Sequence, residues 1–160
     1  MRHLGAARLS RDARTEAIRR ETARLCLALC WAPLHEVRLA NGRRADILAL
    51  RPDGGFVCIE IKSGLADFRA DRKWPDYRDY ADALCFAVDG DFPLDVLPVE
   101  AGLIVVAEEA ALIRQPPSHP IAPARRKALT LLFARLGALR LQTALDPTGA
   151  ALIAAATRAE

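Results

Sequence analysis

The stretch FVCIEIKSG, residues 56 to 64, carries Glu60 and Lys62 inside a run that otherwise reads as a buried strand. Two residues apart on a strand, both side chains leave the same face. A carboxylate and an ammonium so placed suit work on a phosphodiester. The carboxylate ligates a divalent cation, which activates water, and the ammonium orients that water and stabilises charge on the pentavalent phosphorus. E-x-K is a common triplet, so the reading needs a second acid. Asp46, in RRADILAL (43–50), supplies it.

The connection RPDGG (51–55) suits a three-residue loop, Pro52-Asp53-Gly54, with Pro at the first turn position and Gly54 in the left-handed one. Arg51 then pairs with Gly55, and counting outward sets Asp46 opposite Glu60 and Arg44 opposite Lys62, all four on one face. A loop of two or four residues would break this register. Leu48, Leu50, Phe56 and Cys58 share that face, while Ala45, Ile47, Ala49, Val57, Ile59 and Ile61 take the other, so both faces are expected to be covered. Opposed carboxylates repel, more so when buried. A divalent cation such as Mg²⁺ or Mn²⁺ removes the conflict. The competing reading is a structural Asp–Lys or Arg–Glu bridge on the sheet.

Positioning these groups falls to the surrounding elements. Residues 10 to about 31 read as a helix with Ser10 as N-cap, Ile18, Leu25, Ala28 and Leu29 on one stripe, and Glu21 on the same stripe. LHEVRL (34–39) and RRADILAL read as strands joined at Asn41-Gly42, a hairpin signal. DFRADRKWPDYRDYADA (67–83) reads as a short helix, a break at Pro75 and a second helix. LCFAVD (84–89) and AGLIVVAEE (101–109) are continuous apolar strands, and AALIRQ (110–115) pairs with the latter. PPSHPIAP (116–123) crosses to a helix over about 124–140. This order predicts an α/β fold with a mixed central β-sheet flanked by helices. The expected organisation is one domain over 1–160, with its core at about 10–142 and a loosely packed Ala-rich tail at 143–160.

With 160 residues, 52% apolar and 27% charged, the chain has the composition of a soluble globular domain. No continuous apolar run approaches the ~20 residues of a membrane span, and the N-terminus lacks the apolar core of a secretory signal, so the expected location is cytoplasmic without membrane partners. Cys26, Cys30, Cys58 and Cys85 lack zinc spacing and read as reduced, buried thiols. The net charge of +3 conceals basic ends around an acidic middle. That pattern suits a polyanion lying across a cation site, and equally an ordinary solvated helix surface.

The constellation of a helix, a strand with Asp and a strand with E-x-K resembles the PD-(D/E)xK nuclease superfamily. From about Glu36 to Arg140 the chain is similar to the MmcB family of bacterial DNA repair proteins, through GRRADILAL, IEIKSG, DFRADRKWPDYRDYADALCFAVD, FPLDVLPVEAGLIV and HPIAPARRKALTLLFAR. The resemblance implies a restriction-endonuclease-like core with Asp46 and Glu60 as Mg²⁺ or Mn²⁺ ligands and Lys62 as the catalytic cation. DNA is the implied substrate, and other repair proteins are implied partners. A third acid is either Glu36, whose place before GRRAD fits the MmcB pattern, or Glu21. Glu36 falls opposite Asp46 if the Asn41-Gly42 hairpin has a three-residue loop, and opposite Ile47 if it has two. RecB-like nucleases carry Gln and Tyr four apart on the next helix. Lys73 and Tyr77 hold that spacing here, and with Arg44 they are DNA-contact candidates.

Arg125, Arg126 and Lys127, at a helix start where basic residues oppose the helix dipole, are further candidates for phosphate contact. Trp74, Tyr77 and Tyr80 suit base stacking or, more often at helical spacing, a core. His119 reads as a loop histidine and Ser63 as a strand-end cap or a water ligand. The function expected is metal-dependent hydrolysis of DNA. The alternatives are a non-cleaving DNA-binding or scaffold component, and an unrelated phosphohydrolase with an enclosed pocket.

Overall fold

Ser10 starts the first element because its hydroxyl accepts the Ala13 N–H, at 3.2 Å, which the first helical turn leaves without a partner. In the computed structural model, which describes residues 10–149, this cap opens α1 (Arg11–Ala28). Two units meet at the Ile121–Ala122 peptide bond.

The first unit continues with β1 (Ala32–Arg38), β2 (Arg44–Leu50), β3 (Phe56–Lys62), α2 (Leu65–Ala70), β4 (Ala83–Asp89), β5 (Gly102–Val106) and β6 (Ala110–Arg114). These strands form a single six-stranded sheet in chain order. The β1–β2, β2–β3 and β5–β6 pairs are antiparallel, and β3–β4 and β4–β5 are parallel. Tight loops allow the former, whereas a parallel neighbour needs a crossover, provided between β3 and β4 by residues 63–82. The fold is α/β with a mixed sheet.

Both N-terminal hairpins use one device. Gly54 donates to the Arg51 carbonyl at 3.0 Å and Arg51 to the Gly55 carbonyl at 2.8 Å, and Gly42 and Leu39 make the matching pair at 2.9 and 2.8 Å. Each loop therefore has three residues and ends on a glycine in the left-handed region, φ +82° at Gly54 and +79° at Gly42. An added Cβ at Gly54 meets nothing within 4 Å. Gly54→Ala is thus expected to cost about 1 kcal/mol through backbone strain alone, read as a lower denaturation midpoint with an unchanged slope.

Alternation sorts the sheet's two faces. Ile47, Ala49, Val57, Ile59, Ile61, Ala83, Cys85, Ala87, Ile104 and Val106 pack with Ile18 and Cys26 of α1. The opposite face buries Leu48, Phe56, Cys58, Leu84, Phe86 and Val88. Phe68 of α2 meets Phe86 edge-on at 5.4 Å, and Trp74 does so at 5.9 Å. The helix expected after Pro75 is only a 3-10 turn, Trp74–Tyr77. Pro75 does not break a helix but sits in the first turn of this one, where its missing N–H costs nothing. Asp82 ties the crossover down: its carboxylate accepts the N–H groups of Phe56 at 2.7 Å and Ile121 at 3.1 Å.

All four cysteines are free thiols, but only Cys26, Cys58 and Cys85 are buried. Cys30 is exposed, because the chain turns there through a left-handed residue, φ +58°, as it leaves α1.

The second unit holds α3 (Pro123–Leu145), longer at its C-terminal end than the 124–140 expected. Its best 18-residue window has mean hydropathy 1.2, long and apolar enough by composition to cross a bilayer. It passes by length and composition alone, and its apolar residues do not form the continuous run whose absence the sequence showed. Arg135 and Arg140 lie within the helix, and each charge held at a bilayer centre costs ~3 kcal/mol. The tail from residue 150 and the N-terminal Arg2 and Arg8 lie outside the described residues.

Candidate active site

Every residue of β3 is buried, including Glu60 at 4% exposure and Lys62 at 5%. Glu60 and Lys62 lie toward the carboxyl end of β3, where it runs parallel to β4, the end of parallel strands at which α/β sheets place ligands.

The β2–β3 ladder runs from Leu50–Phe56 to Ile47–Ile59, the register expected from the Pro52-Asp53-Gly54 loop. One step further stands Asp46, opposite Glu60, and here the ladder changes. The Ile61 N–H, which a continued ladder would give to the Ala45 carbonyl, donates to Asp46 Oδ2 at 2.8 Å. Glu60 Oε1 lies 3.4 Å from the Asp46 backbone nitrogen. Each carboxylate thus reaches the other strand's backbone. Beyond this point β2 remains with β1 (Arg38–Arg44). Arg44 therefore does not stand opposite Lys62 as the counting implied; its Nε meets Glu36 at 2.6 Å.

The Lys62 ammonium lies 3.7 Å from Glu60 Oε2 and 2.5 Å from Asp71 Oδ2. Asp71 follows the last residue of α2 and is the site residue that sequence reasoning missed. Its only signal was an acid one short helix downstream of E-x-K, and finding it requires knowing where that helix ends.

Burial pushes the Asp46 carboxyl up, and the Glu36 charge adds to this, against the Ile61 N–H and Lys62. Glu60 is pushed up to about 8 by burial and then by the Asp46 charge, with Lys62 opposing. For Lys62, burial works to lower its pKa. The Asp71 hydrogen bond and the charges of Glu60, Asp71 and Asp67 outweigh it, so the ammonium is held above its ordinary range. Burial of Asp71 acts to raise its carboxyl, but the Lys62 hydrogen bond and the Lys73 N–H lower it overall. Near neutral pH the site thus has an ionised Lys62–Asp71 pair beside a Glu60 that retains its proton.

Among the described residues no three His, Cys, Asp or Glu side chains gather as a metal-ligating group. Asp46 and Glu60 make a two-carboxylate site. That fits Mg²⁺, which keeps several waters and takes one or two carboxylates. Burial pushes both acids up, which a cation bound there would offset.

For the third acid, the three-residue hairpin sets Glu36 in the register position facing Asp46, between the His35–Ile47 and Val37–Ala45 pairs. Glu36 adopts a left-handed φ of +51° and engages Arg19 at 2.8 Å as well as Arg44. Glu21 is paired with Arg20 and Arg24 and faces a cleft with Glu108 and Glu109, apart from Asp46.

Tyr77 is 6% exposed and donates its hydroxyl to the Arg44 carbonyl at 3.0 Å. Its buried ring lies beside the site, the core placement that its spacing favoured over base stacking. Trp74, half-buried, packs its ring on Phe86 with Arg78 over it at 5.7 Å. Lys73 is exposed, with its backbone N–H on Asp71. Ser63 is buried beside the site. Arg125, Arg126 and Lys127 occupy the first turn of α3, which has no acid and no side-chain cap.

A mixed α/β sheet that opens between two strands around a half-buried Asp46 and the buried Glu60 and Lys62 defines an α/β protein with a charged site in its sheet. The model of the DNA repair protein MmcB-like family matches residues 4–148, and the chain belongs to that family. Among solved structures it is similar to the SPO1766 protein of unknown function from Silicibacter pomeroyi. The two are 40% identical with a TM-score of 0.80, over 84% of this chain and 93% of that one. No curated protein matches.

Proposed function

We propose that this protein acts in DNA repair by metal-dependent hydrolysis of phosphodiester bonds, on a restriction-endonuclease-like core. The observation that carries the reading is the meeting of Asp46 and Glu60 across β2 and β3 with the Lys62 ammonium 3.7 Å from Glu60. Membership of the MmcB-like DNA repair family supports DNA as the substrate.

Asp46 and Glu60 would hold Mg²⁺ or Mn²⁺. When bound, that ion supplies a Lewis acid for the phosphate and an activated water. The chain's own residues do the rest. The Ile61 N–H fixes the Asp46 carboxylate, the buried walls exclude bulk water, and Lys62 orients the attacking water and offsets charge on the phosphate. Arg44, largely exposed at the rim, and Lys73 contact neighbouring phosphates. Within the second unit, the basic residues that open α3 offer a phosphate contact of their own. Glu36 acts through charge, on Asp46 and Arg44. The test incubates the protein with single-stranded, duplex and flapped DNA in Mg²⁺ or Mn²⁺. Cleavage that disappears on chelation and in Asp46→Asn supports the reading, and identical products from wild type and variant refute it.

A second reading is favoured by one observation: Glu36, the candidate third acid that faces Asp46 in register, is paired with two arginines. On this reading the protein binds DNA in a repair complex without cutting it. Salt-dependent DNA binding with no metal-dependent products would select it.

A further inference from the structure

We propose that Asp71 is the positioning residue for Lys62, holding its ammonium where the scissile phosphate comes to lie. This rests on the phosphodiester reading above. Lys62 is a four-carbon stem ending in a point charge, and such a side chain holds no fixed place unless something directs it. Glu60 is the poorer anchor, 3.7 Å away. Asp71 is at 2.5 Å, on a side chain only partly exposed.

Asp71 is itself fixed twice. Its backbone N–H closes α2 on the carbonyls of Asp67 and Phe68, both at 3.2 Å. Its other carboxylate oxygen accepts the Lys73 N–H at 2.9 Å. The helix behind it is docked by Phe68 against Phe86 and Phe92, at 5.4 and 6.2 Å between ring centroids. The end of the helix is made by the backbone, so the carboxylate is not needed to terminate α2. What the carboxylate adds is the Lys62 contact. An ammonium has three donors. With one on Asp71 and one directed at Glu60, the third remains for a phosphate oxygen or the attacking water. Asp71 acts only through Lys62 and touches no reacting atom.

Asp71→Asn tests this, because the amide oxygen still accepts from Lys73 N–H while the charge is gone. Asp71→Glu keeps the charge. Crystal structures of wild type and Asp71→Asn are expected to show the Lys62 Nζ moved by ~2 Å or more with β3 and α2 in place. An ammonium that stays where it was overturns the assignment. On the DNA form the wild type cleaves fastest, Asp71→Asn is expected to lower kcat ~10–100-fold with KM within ~2-fold, and Asp71→Glu to retain more activity than Asp71→Asn. Equal losses in both variants, or a loss confined to KM, also overturn it. A wild type that cleaves no DNA counts against the nuclease reading, while the position of the ammonium still decides the role of Asp71.

Discussion

Lys62→Ala is expected to reduce metal-dependent DNA cleavage at least ~10³-fold in single-turnover assays, with a folded protein and little change in DNA affinity. The size follows from where the ammonium acts. It is nearly sealed from water and held in its charged form chiefly by the Asp71 carboxylate. A fixed charge in a dry site costs no reorganisation when the phosphorane develops, which makes it worth far more than an exposed lysine. Removal also has a structural cost. Asp71 loses its partner, and breaking a buried pair costs ~3–5 kcal/mol when the remaining charge stays buried. Asp71 is partly exposed and its neighbour Glu60 already holds a proton near neutrality, so the cost here is expected at or below the lower end of that range. A thermal melt run beside the cleavage assay separates the two effects. A variant that melts near wild type yet does not cut is the expected outcome.

Glu60→Gln is expected to stabilise the metal-free protein while abolishing its response to metal. In the folded chain Glu60 keeps its proton up to about 8, against an ordinary value of 4.5. The folded state therefore binds more protons than the unfolded state across that window. Its stability is full below about 4.5, falls as pH rises toward 8, and then levels off. Gln removes this slope. Glu60→Gln should thus exceed wild type by about 2 kcal/mol at pH 8.5 and lose most of that margin at pH 4.5, below the full linkage value because the site relaxes. Saturating Mn²⁺ should reverse the order at pH 8.5, since an ion bound only by the folded state adds about 2.7 kcal/mol at one hundred times its Kd. Urea midpoints at the two pH values, with and without Mn²⁺, give all four numbers.

The register that faces Asp46 with Glu60 was legible in the sequence because Pro52 and Gly54 suit a three-residue loop, which the structure adopts, and strands alternate strictly. The burial of both faces of β3 was legible for the same reason, in the apolar runs around the charges. The Asn41-Gly42 hairpin was less so, because that dipeptide serves two- and three-residue loops alike. Its length, and with it the facing of Glu36 and Asp46, emerged only with Gly42 in the left-handed position. Arg44 was misassigned because the count assumed a ladder that continues past Asp46. A side chain that captures a backbone N–H ends a ladder, and pattern carries no trace of that. Asp71 was hidden for a related reason. Its place depends on how far α2 runs before the chain leaves it, and helix ends are the part of an element that periodicity defines least. The spacing of Trp74 and Tyr77 favoured a core over base stacking, and the 3-10 turn buries Tyr77 while leaving Trp74 half-buried.

The central claim is that the Asp46 and Glu60 carboxylates share one divalent cation. Anomalous diffraction from a crystal soaked in Mn²⁺ at pH 8 tests it most directly. One strong peak is expected at coordination distance from both carboxylates, lost in Glu60→Gln. Density for Mn²⁺ only elsewhere, or a peak that survives in Glu60→Gln, contradicts it.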